Sequence, residues 1–321
     1  MSRIKSFFRA EKMSWHPGEA LIMRLAFALV VVLTGIIWNA AQLPAPGTEL
    51  KSPNGLANIL PMQWLANPGT LALGKPLVAV SLGFYVFGWA PVFSLFVPLV
   101  FMLGTGALRN SMGDISHHTQ LVAMVLLAQW VVYLVAAIRR RSWLRTTPIT
   151  QQQVIFWSIL VIGASYLASG IVKLKASDLE WIQRVPALSV QVFKAVWSAS
   201  YSTGEPVSGF KAETVPWLIV NHPHLARLFF GTGLLLELLG FLMVLGKRVA
   251  RWTGIALISM HLGISLLMEI DFINHILLVL IFAVNIPGWF MERFRRDPVS
   301  MAAGTSAAGD VSPSMVPENQ P

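Results

Sequence analysis

Residues 20–41 read Ala20-Leu21-Ile22-Met23-Arg24-Leu25-Ala26-Phe27-Ala28-Leu29-Val30-Val31-Val32-Leu33-Thr34-Gly35-Ile36-Ile37-Trp38-Asn39-Ala40-Ala41. A helix that crosses a bilayer needs about 20 mostly apolar residues, and this run supplies them with one charge, Arg24. It is too long for the apolar region of a secretory signal, and no small-x-small cleavage pattern precedes Gln42. It therefore reads as a first membrane span.

The rest of the chain repeats the theme. Of 321 residues, 55% are hydrophobic and only 12% are charged, against about 25% charged in ordinary soluble domains. A soluble globular fold is excluded. Further spans are expected at 76–89, 91–108, 119–138, 154–174, 225–245, 253–270 and 273–290, giving an all-α polytopic transmembrane bundle of about eight helices in a domain covering 15–292. The second is short, and Pro91 either turns the chain into the third or kinks one irregular segment, because proline lacks an amide donor and disfavours helix before it. There is no cysteine, which excludes disulfides, thiolate metal sites, cysteine nucleophiles and thiol redox chemistry.

Charge fixes the span count. The net charge of +9 would suit a nucleic-acid partner in a soluble protein; in a membrane protein the loops that carry it matter more, and nucleic acid is set aside. With eight spans, every dense basic cluster lies on the side of the N-terminus: Arg3, Lys5, Arg9 and Lys12; Arg139, Arg140, Arg141 and Arg145; Lys247, Arg248 and Arg251; Arg293, Arg295 and Arg296. Seven spans would split them, against the positive-inside tendency. Both termini are then cytoplasmic, in a multi-pass protein of a bacterial-type inner or plasma membrane. Residues 1–14 set Ile4, Phe7 and Phe8 at helical spacing among basic residues, as in an amphipathic helix lying on an anionic leaflet. The tail 293–321 is basic, then rich in Ala, Gly, Ser and Pro, and reads as disordered. The outer stretch 175–224 is too long for a tight loop and carries Val192, Phe193, Val196 and Trp197 at the spacing of an interfacial helix.

Ionisable groups inside apolar spans are costly and draw attention to function. Lys173 ends the fifth span, with Gly170, Ser169 and Tyr166 on its face. It is either a lysine snorkelling to the outer interface or one whose desolvation keeps it neutral and usable as a base. Glu237, mid-span with Gly233 and Gly240 on its face, looks inward and needs a partner. Arg24 is near enough to the inner face to snorkel. His261 is mid-span, and Glu269, Asp271 and His275 follow toward the outer side. Those four lack the tight spacing of a zinc motif such as HExxH, and no metal is predicted. The turn before the fourth span ends in His117-His118, so several polar residues gather at outer helix ends, as one outward-facing pocket would require.

Four stretches carry a family resemblance: Leu21-Ile22-Met23-Arg24-Leu25; His117-His118-Thr119-Gln120-Leu121; Tyr166-Leu167-Ala168-Ser169-Gly170-Ile171-Val172-Lys173-Leu174, followed by Trp181; and His261-Leu262-Gly263-Ile264-Ser265-Leu266-Leu267-Met268-Glu269-Ile270. In this order, from about Trp15 to Phe290, the chain resembles the horizontally transferred transmembrane domain family, which includes the membrane domain of vitamin K-dependent gamma-glutamyl carboxylase.

That resemblance implies a lyase-class, carboxylase-like quinol epoxidase. Lys173 would be the base that deprotonates reduced vitamin K or menaquinol, and His118 a second catalytic contact. Tyr166, His117, Glu237, His261 and Glu269 would line the pocket. Oxygen would add to the quinol, and the strongly basic product would remove a carbon-bound proton from a glutamate before carbon dioxide attacks. The expected partners are the lipid bilayer, a quinol and a secreted or membrane peptide. Short members of the family also resemble proteins that mature secreted peptides, which gives the alternative of a non-redox membrane accessory for peptide maturation or export.

Overall fold

The structure is a computed structural model that describes residues 15–45, 47–50, 53, 55–112, 117–268 and 270–292, without the side chains of His117 and His118. The amphipathic segment predicted over residues 1–14 and the tail 293–321 lie outside the described residues, as does Glu269. Residues up to Asn285 form one compact unit, built from helices joined by short turns.

The helix boundaries follow from local chemistry. Helix α1 (Pro17–Asn39) begins where the His16 imidazole accepts the Gly18 amide at 3.2 Å and proline occupies the first turn, whose amides lack helical acceptors anyway. Helix α2 (Pro68–Val86) starts eight residues before the predicted 76, because Asn67 caps it by accepting the Gly69 amide at 2.9 Å; Pro76 lies inside it. Gly88 and Ala90 then take left-handed conformations (φ 72° and 44°), so Pro91 opens a new helix, α3 (Pro91–Asn110). Helix α4 (His117–Arg140) leads to α5 (Pro148–Ala176), capped by Thr147 and six residues longer at its start than predicted.

The long outer stretch folds into α6 (Leu188–Thr203) and α7 (Val215–Asn221). Val192 and Val196 of α6 are buried with Val185, Ala212, Val215 and Ile219 against Ala226 and Met268. Phe193 and Trp197, predicted on the same face, point outward at 46% and 36% exposure. The segment is a cap with its own small core.

Helix α8 (Pro223–Leu238) gives way to a tighter 3-10 run, Gly240–Leu245, so the predicted continuous span 225–245 is broken at Leu239. The break falls where two backbones meet. A Cβ on Gly240 would stand 2.7 Å from Tyr166 Cβ, and one on Gly163 would stand 2.9 Å from the Gly240 carbonyl oxygen. Small residues permit this approach of α5 and the 240–245 run, as they do between helices in membranes. Helix α9 (Lys247–Met268) and α10 (Ile273–Val279, continued by a wide turn to Val284) complete the unit. Asn285, at φ 49°, ends it. By itself, 286–292 is a short helix.

Seven helices among the described residues are long and apolar enough to cross a membrane; the broken segment 223–245, expected as one of eight spans, is not among them. Its residues run antiparallel to α5: Lys173 meets Glu237, Gly170 faces Leu238, and Tyr166 and Gly163 face Gly240. Two sets of contacts bring the two described basic clusters, 139–145 and 247–251, to one end. Lys247 pairs with Glu19 at 3.4 Å, and Asn285 also donates to Glu19. The Ala90 amide bonds the Leu144 carbonyl, which joins the α2–α3 turn to the 139–145 cluster. Arg24 does not snorkel: its Nη1 atom is buried against Gly88.

Candidate functional site

The end of the bundle opposite the basic clusters holds the polar groups that the sequence singled out. Lys173 Nζ donates to both carboxylate oxygens of Glu237, at 2.6 and 2.7 Å. The Glu237 side chain is 8% exposed and that of Lys173 is 36%, so the carboxylate is the buried partner and the ammonium the accessible one. The register explains the meeting. Lys173 lies one turn beyond Gly170, whose missing side chain lets α8 approach; a Cβ there would stand 2.8 Å from Leu238 Cδ2. Glu237 is next to Leu238 and is carried to the lysine by that contact. The inward orientation and the need for a partner, read from the glycines around Glu237, are both met. The lysine is neither snorkelling free nor isolated, since it is half of an ion pair.

This pair forms part of the wall of a cavity of about 790 Å³. Apolar side chains of α8 and α9 make most of the wall, among them Leu225, Phe229, Leu236, Met260, Ile264 and Met268, while Trp181 and Leu188 close it from the cap. Trp181 also lies 5.8 Å below the lysine ammonium, centroid to Nζ, within cation–π range. Thr232 and Ser259 are the other polar side chains in the wall. Helices α8 and α9 run antiparallel here, with Gly233 against Met260 and Gly263 against Phe229. Glu237 thus lies opposite the Ala256 level and Leu225 near Met268. Twelve residues of helix separate Leu225 from Glu237, or about 18 Å. The charged pair therefore marks the deep end of an elongated apolar slot that reaches the cap at Trp181 and Leu188. A second void of about 250 Å³, between α7 and α8, shares Leu225, Phe229 and Phe230 with the first and extends the apolar surface outward.

Behind this wall is a second polar group. The Tyr166 hydroxyl and His261 Nε2 are 2.7 Å apart, and His261 is 3% exposed. Its Nδ1 has no hydrogen-bond partner among the described residues. Phe272 packs over the imidazole at 4.6 Å between ring centroids and itself lines the cavity. His275 lies 5.4 Å from His261 and 6.1 Å from Tyr166, ring to ring. Tyr166 and His261 are thus one unit, and Lys173 and Glu237 another, with the second alone lining the cavity.

His117 and His118 begin α4 at this same end of the bundle, but their side chains, like all of Glu269, lie outside the described residues. Among the described residues no three His, Asp or Glu side chains are grouped to hold a metal ion. The sequence reading missed Trp181 as a cavity wall, Phe272 as the plate over His261, and the apolar wall of the slot. Apolar walls carry no signal in a chain where lipid-facing and cavity-facing positions are composed alike; Trp181, a bulky aromatic soon after a charged helix end, was the one visible clue.

Comparison with protein-family models, with curated proteins and with solved structures finds no match to this chain.

Proposed function

We propose that the protein is an integral membrane enzyme that binds a quinol in the slot and takes up its hydroxyl proton on the Lys173–Glu237 pair. One observation carries the reading: a bidentate ion pair at the deep end of a large, otherwise apolar cavity. A molecule with an apolar body and a hydroxyl head fits such walls, whereas a fully polar solute would find few partners there. The two hydrogens that Lys173 gives to Glu237 leave one ammonium hydrogen for the ligand, and Trp181 holds the ammonium from another side.

A bound quinol would supply reducing equivalents and an acidic hydroxyl. The chain's own contribution is to desolvate and to move a proton. As Lys173 releases one of its protons along the short contacts to Glu237, it accepts the hydroxyl proton in its place, so the carboxyl group stores the proton, the ammonium keeps its charge and the negative charge passes to the deprotonated quinol. A quinol seated against the apolar walls would itself exclude water from this exchange and so preserve a basic product. The carboxylase-like resemblance extends the reading to oxygenation coupled to modification of a peptide. The slot's position in the half away from the basic clusters supports a peptide arriving from the extracytoplasmic side.

The test is oxygen-dependent conversion of menaquinol or reduced vitamin K to its epoxide by the purified protein in lipid. Wild type should turn over, Lys175→Ala should match it because Lys175 is exposed and outside the pair, and Lys173→Arg should be inactive, since arginine keeps the charge but does not give up a proton. No epoxide from folded wild type with quinol and a trial peptide would refute the enzyme reading and leave the non-redox peptide-maturation function.

A further inference from the structure

At the other end of the bundle the structure holds a cluster that the quinol reading does not use. Arg24 enters the bundle from α1, and its Nη1 atom is buried with no hydrogen-bond partner among the described residues. The Thr146 hydroxyl is buried and unpartnered in the same way. The two side chains meet at Gly88, where a Cβ would stand 2.6 Å from Arg24 Nη1 and 3.4 Å from the Thr146 methyl carbon. A small void of about 30 Å³ lies at Thr146, lined also by Thr147, Thr150, Arg140, Arg145 and Tyr133 among others. Tyr133 is shared with a still smaller void that Arg24 lines. No aspartate or glutamate lines either void.

Two guanidinium groups and three threonines thus line one space, with the Arg24 guanidinium in the neighbouring void across Tyr133, and neither void has a carboxylate in its wall. Burying a cation's donor without an acceptor is costly, and a polar space of this size admits one or two oxygens of an anion whose remainder lies outside it, beside the exposed Arg140 and Arg145. Arginine's planar fork matches the oxygens of a phosphate better than those of water. Trp143, 40% exposed, lines the same void, and tryptophan favours the headgroup level of a bilayer. This is also the basic end of the protein, where anionic headgroups are drawn to arginine and lysine.

We propose that this cluster is a binding site for a phosphate-bearing anion at the basic interface, with Arg24 and Thr146 as its inner contacts and Arg140 and Arg145 as its outer ones. Two sources share that chemistry: the headgroup of an anionic phospholipid, and free phosphate.

The experiment uses the delipidated full chain in detergent, titrated separately with phosphatidylglycerol, phosphatidylcholine and inorganic phosphate, and read by thermal unfolding and native mass spectrometry. Phosphatidylglycerol, but not phosphatidylcholine, is expected to raise the melting temperature and remain bound. Arg145→Gln and Thr146→Val should each weaken it, about tenfold for the arginine, the equivalent of one lost charge-assisted hydrogen bond. Arg24→Gln should weaken it further; where that variant fails to fold, the other two decide. Protection by inorganic phosphate with the same residue dependence would assign the site to the free anion. Arg248→Gln, an exposed arginine at the same end but outside the cluster, is the control. Absence of protection by both phosphatidylglycerol and phosphate, or equal weakening by Arg248→Gln and Arg145→Gln, would overturn the site.

Discussion

Removing either half of the Lys173–Glu237 pair should destabilise the protein unequally, and the inequality follows from exposure. Lys173→Met leaves the carboxylate of Glu237, 8% exposed, in an apolar wall without its two N–H donors. Breaking a buried pair from one side costs about 3–5 kcal/mol, and the partial opening of this site places the expected loss near the lower figure. Glu237→Leu leaves an ammonium that is already 36% exposed and can turn toward the cavity and solvent, so about 1 kcal/mol is expected, the net worth of an ordinary hydrogen bond. The double variant replaces both charges by apolar groups and should lose only about 1 kcal/mol, because a buried pair is often no better than a well-packed apolar substitute. Unfolding in mixed micelles titrated with SDS gives the three free energies, and the double-mutant cycle gives the coupling. Additive losses, or a larger loss from Glu237→Leu than from Lys173→Met, would refute both the pairing and the assignment of the carboxylate as the buried partner.

Three more outcomes can be checked alongside. Gly240→Ala should destabilise by about 1–3 kcal/mol through overpacking, because its Cβ would stand 2.7 Å from Tyr166 Cβ; Gly209→Ala, with open space around it, should shift the melting temperature little. Tyr166→Phe leaves His261 buried without its 2.7 Å partner and should cost about 1–3 kcal/mol, most of it recovered in Tyr166→Phe/His261→Phe, as thermal unfolding would report. The chain has no cysteine, so single cysteines can report sidedness: one at Ser142 and one at Ser202 should react with a membrane-impermeant maleimide from opposite faces of oriented vesicles, and labelling from the same face would contradict an odd number of passes between them.

Seven of the eight expected spans were legible as apolar runs of a fixed minimum length and stand as long apolar helices; the eighth, 225–245, does not. Where helices begin and break was less legible. Helix α2 starts at Pro68 because of the Asn67 cap, a two-residue signal that the hydropathy of Lys75 and Pro76 obscured. The break after α8 has no proline; it comes from Gly240 meeting Gly163 and Tyr166, a contact between residues more than seventy positions apart. On α6, spacing alone grouped Phe193 with Val192, yet only Val192 and Val196 reach the cap's core, since an interfacial helix may set apolar residues toward lipid as readily as toward protein.

The site shows the same division in sharper form. Lys173, Glu237, Tyr166 and His261 each stand out because a polar group in an apolar span must be satisfied somewhere, so the sequence marks the members. Partnership is a property of register, and register here is set by glycines: Gly170 brings Leu238, and so Glu237, to Lys173, while the approach at Gly163 and Gly240 places Tyr166 against the same segment. Arg24 makes the converse case. Its depth in α1 allowed snorkelling, and its burial follows from Gly88, whose lack of a side chain opens the space that the guanidinium fills. At both ends of the bundle a glycine on one element decides what a charged residue on another can do. Substitutions at Gly170 and Gly88 should therefore disturb the two charged sites separately, Gly170→Ala the ion pair and Gly88→Ala the arginine cluster, without altering any charge.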